Sequence, residues 1–198
     1  MPRSSLHYTR AAVIVHGKSE LQIVKYIKTN LKLPIQIIAD KNGAKSIQIN
    51  SLLKYMEKTQ FKTMKSFADH YRVDYQKSDK KLNRFHLFII MDTDDCDAPT
   101  LEKYKNGTMF EKHFLAPYII PIYNTENLED VLSKTSIMPK RIRDREKGTF
   151  YEKVFPINVD GKTNPDTVKQ IKLLADELRK VKTTNMEVFI DYCLNEIQ

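Results

Sequence analysis

Short apolar runs alternate along the chain with longer stretches of helical period, a pattern that predicts an α/β sheet rather than a helical bundle. Four runs read as strands: 11–15, 35–39, 86–91 and 118–123. The first (Ala-Ala-Val-Ile-Val) and the third are apolar almost throughout, as expected for interior parallel strands covered on both faces. Between the first two, Leu21, Val24, Ile27 and Leu31 recur at helical spacing behind Ser19, a candidate N-cap, which makes a β-α-β unit.

After the second strand, Lys41-Asn42-Gly43 reads as a turn, and Ile47, Ile49, Leu52, Leu53 and Met56 predict a helix over 44–58. Phe61, Met64, Phe67 and Tyr71 form a core stripe that predicts a helix over 61–75. Ser78-Asp79-Lys80-Lys81 is a polar break, and further helices are expected over 101–114 and through Leu132 after the fourth strand. Residues 139–147 are densely charged with no apolar period. Asn164-Pro165 then opens a helix with Val168, Ile171, Leu174 and Leu178 on one face, and a last helix spans 186–197. The expected organisation is an α/β domain over 1–135, then a basic segment and a helical pair over 136–198 that packs on the sheet or on a partner chain, in a homo-oligomer or a larger complex.

The 198 residues suit one domain with an appendage. Cys96 and Cys193 lie far apart and outside any CxxC or Cys/His cluster, so neither a disulfide framework nor a structural zinc site is expected, and a reducing cytoplasm is the default. The first apolar stretch is too short for a signal peptide or a membrane span. A net charge of +8 points to an anionic partner, nucleic acid ahead of membrane. Lys140, Arg141, Arg143, Arg145 and Lys147 are the candidate phosphate contacts.

The sharpest chemical signal is the run Phe88-Ile89-Ile90-Met91, which ends in Asp92-Thr93-Asp94-Asp95-Cys96-Asp97. Aspartates crowded at a strand end repel one another unless water, hydrogen bonds or a cation neutralises them. At the C-terminal end of a parallel strand, a divalent cation is the economical partner, and hard oxygen ligands favour Mg²⁺ or Mn²⁺. Asp97, ahead of Pro99 and Thr100, reads as a helix cap, which leaves Asp92, Asp94 and Asp95 as the candidate metal ligands. Glu126 and Glu129, entering from the fourth strand end, are candidates to complete the shell. The first strand ends in Val15-His16-Gly17-Lys18-Ser19-Glu20. Its Gly-Lys-Ser is not a P-loop, because the glycine needed five residues earlier is Ala12, inside the strand.

Taken together, Gly17, Lys18, Ser19 and Glu20, followed by Asp92 and Asp94, resemble the Toprim family, the catalytic domain of topoisomerases, primases, small-RNA maturases and OLD-type or abortive-infection nucleases. In that family a first strand ends in Glu-Gly and a later strand in Asp-x-Asp. The likeness covers residues 10–132. It implies a parallel sheet of about four strands flanked by helices, with a Mg²⁺- or Mn²⁺-dependent site acting on nucleic acid. By analogy with the nuclease branch, it also implies a role in defence against phage and mobile DNA.

One position departs from the family: His16 stands where the glutamate precedes the glycine. Three assignments follow. His16 itself ligates metal or accepts a proton, Glu20 supplies the missing carboxylate one turn later, or the site is catalytically silent. The expected function is therefore a metal-dependent phosphodiesterase with His16, Glu20 and Lys18 as catalytic groups. The alternatives are a silent nucleic-acid-binding or regulatory module, and a Mn²⁺-dependent glycosyl- or nucleotidyl-transferase using the aspartate cluster.

Overall fold

The computed structural model describes residues 8–138 and 144–197, with the side chains of Asp144 and Arg145 also outside the description. Of the basic segment, Lys140, Arg141 and Arg143 therefore lie outside the described residues, and Arg145 is described by its backbone alone.

In chain order the elements begin with β1 (Ala11–Val15), α1 (Lys18–Leu31), β2 (Ile35–Ile38), α2 (Ile49–Tyr55) and α3 (Met64–Tyr71). A small hairpin, β3 (Tyr75–Gln76) and β4 (Lys81–Leu82), precedes β5 (His86–Asp92), α4 (Ala98–Lys105), β6 (Ile119–Asn124) and α5 (Leu128–Ser133). The chain closes with α6 (Asp144–Val154), α7 (Pro165–Arg179) and α8 (Met186–Asn195). The fold is α/β: four parallel strands in the order β2-β1-β5-β6, covered by helices on both faces.

The lack of polar alternation in β1 and β5 follows from that double cover. Ala11, Val13 and Val15 join Phe88, Ile90 and Ile122 in a core closed by α1 and by α5 through α8. Their neighbours Ala12 and Ile14 join Leu87, Ile89 and Met91 in a second core closed by α2, α3 and α4. The C-terminal helical pair packs on the sheet, with Phe88 against Phe189 and Tyr192 at ring-centroid distances of 5.2 and 5.0 Å.

β6 is an edge strand, which is why it tolerates Pro121 opposite Ile89. Its open side is covered by the entry to α8. Asn185 accepts from the Tyr123 N–H (2.8 Å) and donates to the Pro121 carbonyl (3.0 Å), so one side-chain amide stands in for a neighbouring strand.

Several local expectations differ, among them the helix expected over 101–114, which is α4 ending at Lys105 and followed by a single 3-10 turn at Thr108–Phe110. The helix expected over 44–58 is shortened to α2, because the Ile47 N–H is given to the His16 carbonyl at 2.9 Å and Gln48 is extended; ahead of it, Asp40–Gly43 makes a tight turn with Lys41, Asn42 and Gly43 all in the left-handed region. The stretch 61–75 is helical only from Met64, capped by Thr63, to Tyr71, and the chain then turns at Arg72 (φ 56°). The polar break at 78–81 lies within the small hairpin, where Tyr75 and Gln76 pair with Leu82 and Lys81. The end of the charged segment is the start of α6, anchored by Tyr151 and by Phe155 just beyond it, which packs edge-on against Tyr26 at 5.6 Å. Two aromatics four residues apart give too weak a period to announce a helix from sequence. The cap at α4 is as expected, with Asp97 accepting from the Thr100 N–H at 2.7 Å. Among the described residues, no helix is long and apolar enough to cross a membrane.

Candidate functional site

The strand order reverses between β1 and β5: the chain leaves β1 for β2 on one side, then crosses to β5 on the other. Open α/β sheets form crevices beyond the strand C-termini at such a point. Val15 pairs with Ile90, and the His16 N–H continues the pairing to the Ile90 carbonyl at 2.9 Å. The glycine turn and the aspartate turn therefore leave the sheet side by side. They share a cleft of about 270 Å³ lined by His16, Lys18, Glu20, Asp92, Asp94 and Glu129, with Lys147 reaching in from α6.

Gly17 is extended and precedes α1, and Glu20, in the first turn, reaches back so that its Oε2 accepts the Gly17 N–H at 2.9 Å. That bond explains how a carboxylate only 2% exposed is held in place. Burial pushes the Glu20 carboxyl up to about 7; the Glu129 charge pushes the same way, and the Gly17 amide and Lys147 oppose it. Asp92, at the end of β5, is 6% exposed. Burial and then the Glu20 charge push its carboxyl up to about 8, against the pull of His16 and of a bond from Asn124. Asn124 Nδ2 donates to Asp92 Oδ1 at 3.1 Å, and Asn124 Oδ1 in turn accepts from the Thr184 hydroxyl at 2.9 Å.

Glu129 is more fully partnered. Its Oε1 accepts from the Ser19 hydroxyl at 2.8 Å and the Tyr151 hydroxyl at 3.3 Å, and its Oε2 lies 3.6 Å from Lys147 Nζ. Ser19 is thus a Glu129 donor inside the first turn of α1 rather than the cap, a position that Gly17 takes. Burial, reinforced by Glu129, raises the Tyr151 phenol well above its ordinary value.

His16 Nδ1 and both carboxylate oxygens of Asp95 are buried without a hydrogen-bond partner. The imidazole is near enough to pull down the pKa of both Asp92 and Asp95, although burial raises Asp95 overall. Asp94 is exposed on the cleft rim. Glu126 is not among the lining residues; it is exposed, in the left-handed region (φ 67°), and its contribution is a carbonyl that accepts the Thr93 N–H at 3.1 Å. Glu129 is the acid that the end of β6 delivers to the cleft. Among the described residues no three His, Cys, Asp or Glu side chains are already gathered as a ligand set. The donor chemistry nevertheless fits a hard divalent cation. Carboxylates that raise one another's pKa are relieved by positive charge, and His16 Nδ1, buried without a hydrogen-bond partner, is an unused donor in the same cleft.

Compared with known protein families, curated proteins and solved structures, the chain finds no match. Of the residues that sequence reading brought forward, His16, Lys18, Glu20, Asp92, Asp94, Glu129 and Lys147 line the cleft, whereas Asp95 and Glu126 do not. Sequence reading missed Asn124 and Tyr151, which act through the carboxylates they hold. Asn124 sits in a polar run, Asn-Thr-Glu-Asn, with nothing in the order of residues to mark one asparagine as buried.

Proposed function

We propose that the chain is a divalent-metal-dependent phosphodiesterase acting on nucleic acid, of the Toprim kind that its two strand-end motifs resemble. The observation that supports this reading is the shared cleft, in which the Gly17–Glu20 turn and the Asp92–Asp94 turn face each other at the switch point of the sheet. Asp92 and Asp94 would hold Mg²⁺ or Mn²⁺, with His16 beside them. A bound ion of this kind supplies charge stabilisation at the attacked phosphate and a lower pKa for water. Lys18 on the rim pairs with a phosphate oxygen. Glu20, with its carboxyl pushed up to about 7, takes the proton of the attacking water, the work that the family gives to the glutamate before the glycine. Asn124 keeps Asp92 oriented while this happens.

A role in defence against mobile DNA goes with the resemblance, and two free thiols, Cys96 and Cys193, support a cytoplasmic setting. The test is incubation with plasmid, single-stranded DNA and RNA in Mg²⁺ and in Mn²⁺. Cleavage that disappears in Asp92→Ala and Asp94→Ala is the expected result, and cleavage unchanged in His16→Ala assigns the proton acceptor to Glu20.

One observation favours a second reading, a catalytically silent nucleic-acid-binding module: Glu20 already serves α1 by accepting the Gly17 N–H. Salt-sensitive binding without turnover in either metal would select it.

A further inference from the structure

Two lysine-lined recesses adjoin the acidic cleft. Between α1 and α6 lies a recess of about 450 Å³ that shares Lys18, Ser19 and Lys147 with the cleft and adds Lys25. A second recess, of about 230 Å³, shares Ser46 with the cleft and is lined by Lys45, Lys54 and Lys58. Each recess is lined by three lysines and one acid, Glu152 in the first and Asp40 in the second, with Lys147 of the first also 3.6 Å from Glu129 of the cleft. Lys45 and Lys58 both lie near Asp40, at 3.8 and 3.3 Å, so one carboxylate is shared between two ammonium groups and a net positive charge remains. Both recesses thus share lining residues with the acidic cleft, Lys18, Ser19 and Lys147 on one and Ser46 on the other.

The left-handed turn Asp40–Gly43 lies between the two arms. Asp40 faces the smaller recess, Asn42 lines the larger one, and Gly43 is pressed on the start of α1, where an added Cβ would come within 3.3 Å of the Lys18 backbone. Lys41 and Asn42 hold φ of 45° and 55°, in the left-handed region that L-residues rarely adopt. Such outliers concentrate where a surface must be shaped for a ligand.

We propose that the three recesses form one track for a single strand of nucleic acid. The α1–α6 arm, with Lys18, Lys25 and Lys147, and the arm beside α2, with Lys45, Lys54 and Lys58, grip phosphates on either side of the one that lies in the acidic cleft. The inference deepens the phosphodiesterase reading and rests on it for the position of the central phosphate. Polyanion contacts of this type release counterions and read no sequence. Sunken recesses suit a flexible strand, which can bend into them; a stiff duplex would have to be deformed to reach them.

The test is fluorescence anisotropy of labelled 20-nucleotide single strands, one DNA and one RNA, in EDTA, so that binding is read without turnover. Lys25→Gln and Lys54→Gln, one on each arm, are each expected to weaken binding about threefold, and the double variant about tenfold. Each substitution should also reduce the slope of log Kd against log salt by roughly 0.7, the value for one single-strand phosphate contact. A control, Lys172→Gln on the exposed side of α7, should bind like the wild type, as should the circular-dichroism melting curves of all variants. A labelled dinucleotide, too short to reach both arms, should bind at least tenfold more weakly than the 20-mer. Wild-type affinity and salt slope in the Lys25→Gln, Lys54→Gln double variant would overturn the track, as would equal affinity for dinucleotide and 20-mer, or tighter binding of a 20-base-pair duplex. Failure of the phosphodiesterase reading has a different signature: lysine-dependent binding persists, and no strand is cut in Mg²⁺ or Mn²⁺.

Discussion

Asn124, wholly buried at the end of β6, donates its side-chain amide to Asp92 Oδ1 at 3.1 Å and so links the acidic turn of β5 to the C-terminal helices. The relay continues through the Thr184 hydroxyl, which donates to Asn124 Oδ1 at 2.9 Å and accepts the Met186 N–H at 3.1 Å at the start of α8. Asn124→Ala leaves a buried carboxylate and a buried hydroxyl each short of a partner, at a cost of about 1–3 kcal/mol. Urea denaturation should report that loss with an unchanged m-value. Thr184→Val should cost less, about 1 kcal/mol, because the Asp92 bond survives.

Stability of the metal-free protein should fall as pH rises from about 4 toward 8. Glu20 and Asp92 have ordinary values of 4.5 and 3.8, and in the fold they are pushed up to about 7 and about 8. The folded state therefore binds more protons than the unfolded state across that window, and each carboxyl that ionises in place weakens the fold. Asp92→Asn keeps the acceptor oxygen for Asn124 and removes the charge. Thermal melts at about pH 5 and pH 8 should show a smaller drop for this variant than for the wild type, and a higher Tm than wild type at the upper pH.

A divalent cation should reverse that pH effect. An ion that binds only the folded state stabilises by about 2.7 kcal/mol when present at one hundred times its Kd. Adding Mn²⁺ at about pH 8 should raise the Tm of the wild type and leave that of Asp92→Asn nearly unmoved. Calcium-free, chelated protein is the reference, and an equal shift in both proteins would assign the ion to another place.

Two glycines should respond oppositely to alanine. Gly43 sits at φ 79° with its Cβ direction within 3.3 Å of the Lys18 backbone, so Gly43→Ala should destabilise by at least about 1 kcal/mol and disturb the entry to α1. Gly148 lies inside α6 with nothing within 4 Å of an added Cβ, so Gly148→Ala should stabilise by about 0.4–1 kcal/mol. Denaturant midpoints of the two variants give the comparison.

The parts legible in sequence were those written as runs. The apolar strands and the helix spacing of Leu21, Val24, Ile27 and Leu31 follow from burial on two faces, and all four strands and their parallel arrangement are present. The two strand-end motifs could be read because each is contiguous, and adjacency of β1 and β5 brings them together. What sequence concealed depends on partners remote along the chain. The docking of α6 through Tyr151 and Phe155 is decided by Tyr26 and Glu129, and the burial of Asn124 is decided by Thr184. The left-handed turn at Lys41-Asn42-Gly43 was legible as a turn but not as three successive positive φ angles, because lysine carries no sign of that conformation.

Two turns that grip a common cation over a phosphodiester should make the protein a metal-dependent nuclease, and a time course with a labelled single strand in Mn²⁺ tests that most directly. Wild-type protein should cut the strand, EDTA should stop it, and Asp92→Ala and Asp94→Ala should each lower the rate by at least about a hundredfold, in the range that losing charge stabilisation at a transferred phosphate produces. Undiminished cutting by either aspartate variant, or no cutting by the wild type in either Mn²⁺ or Mg²⁺, would contradict it.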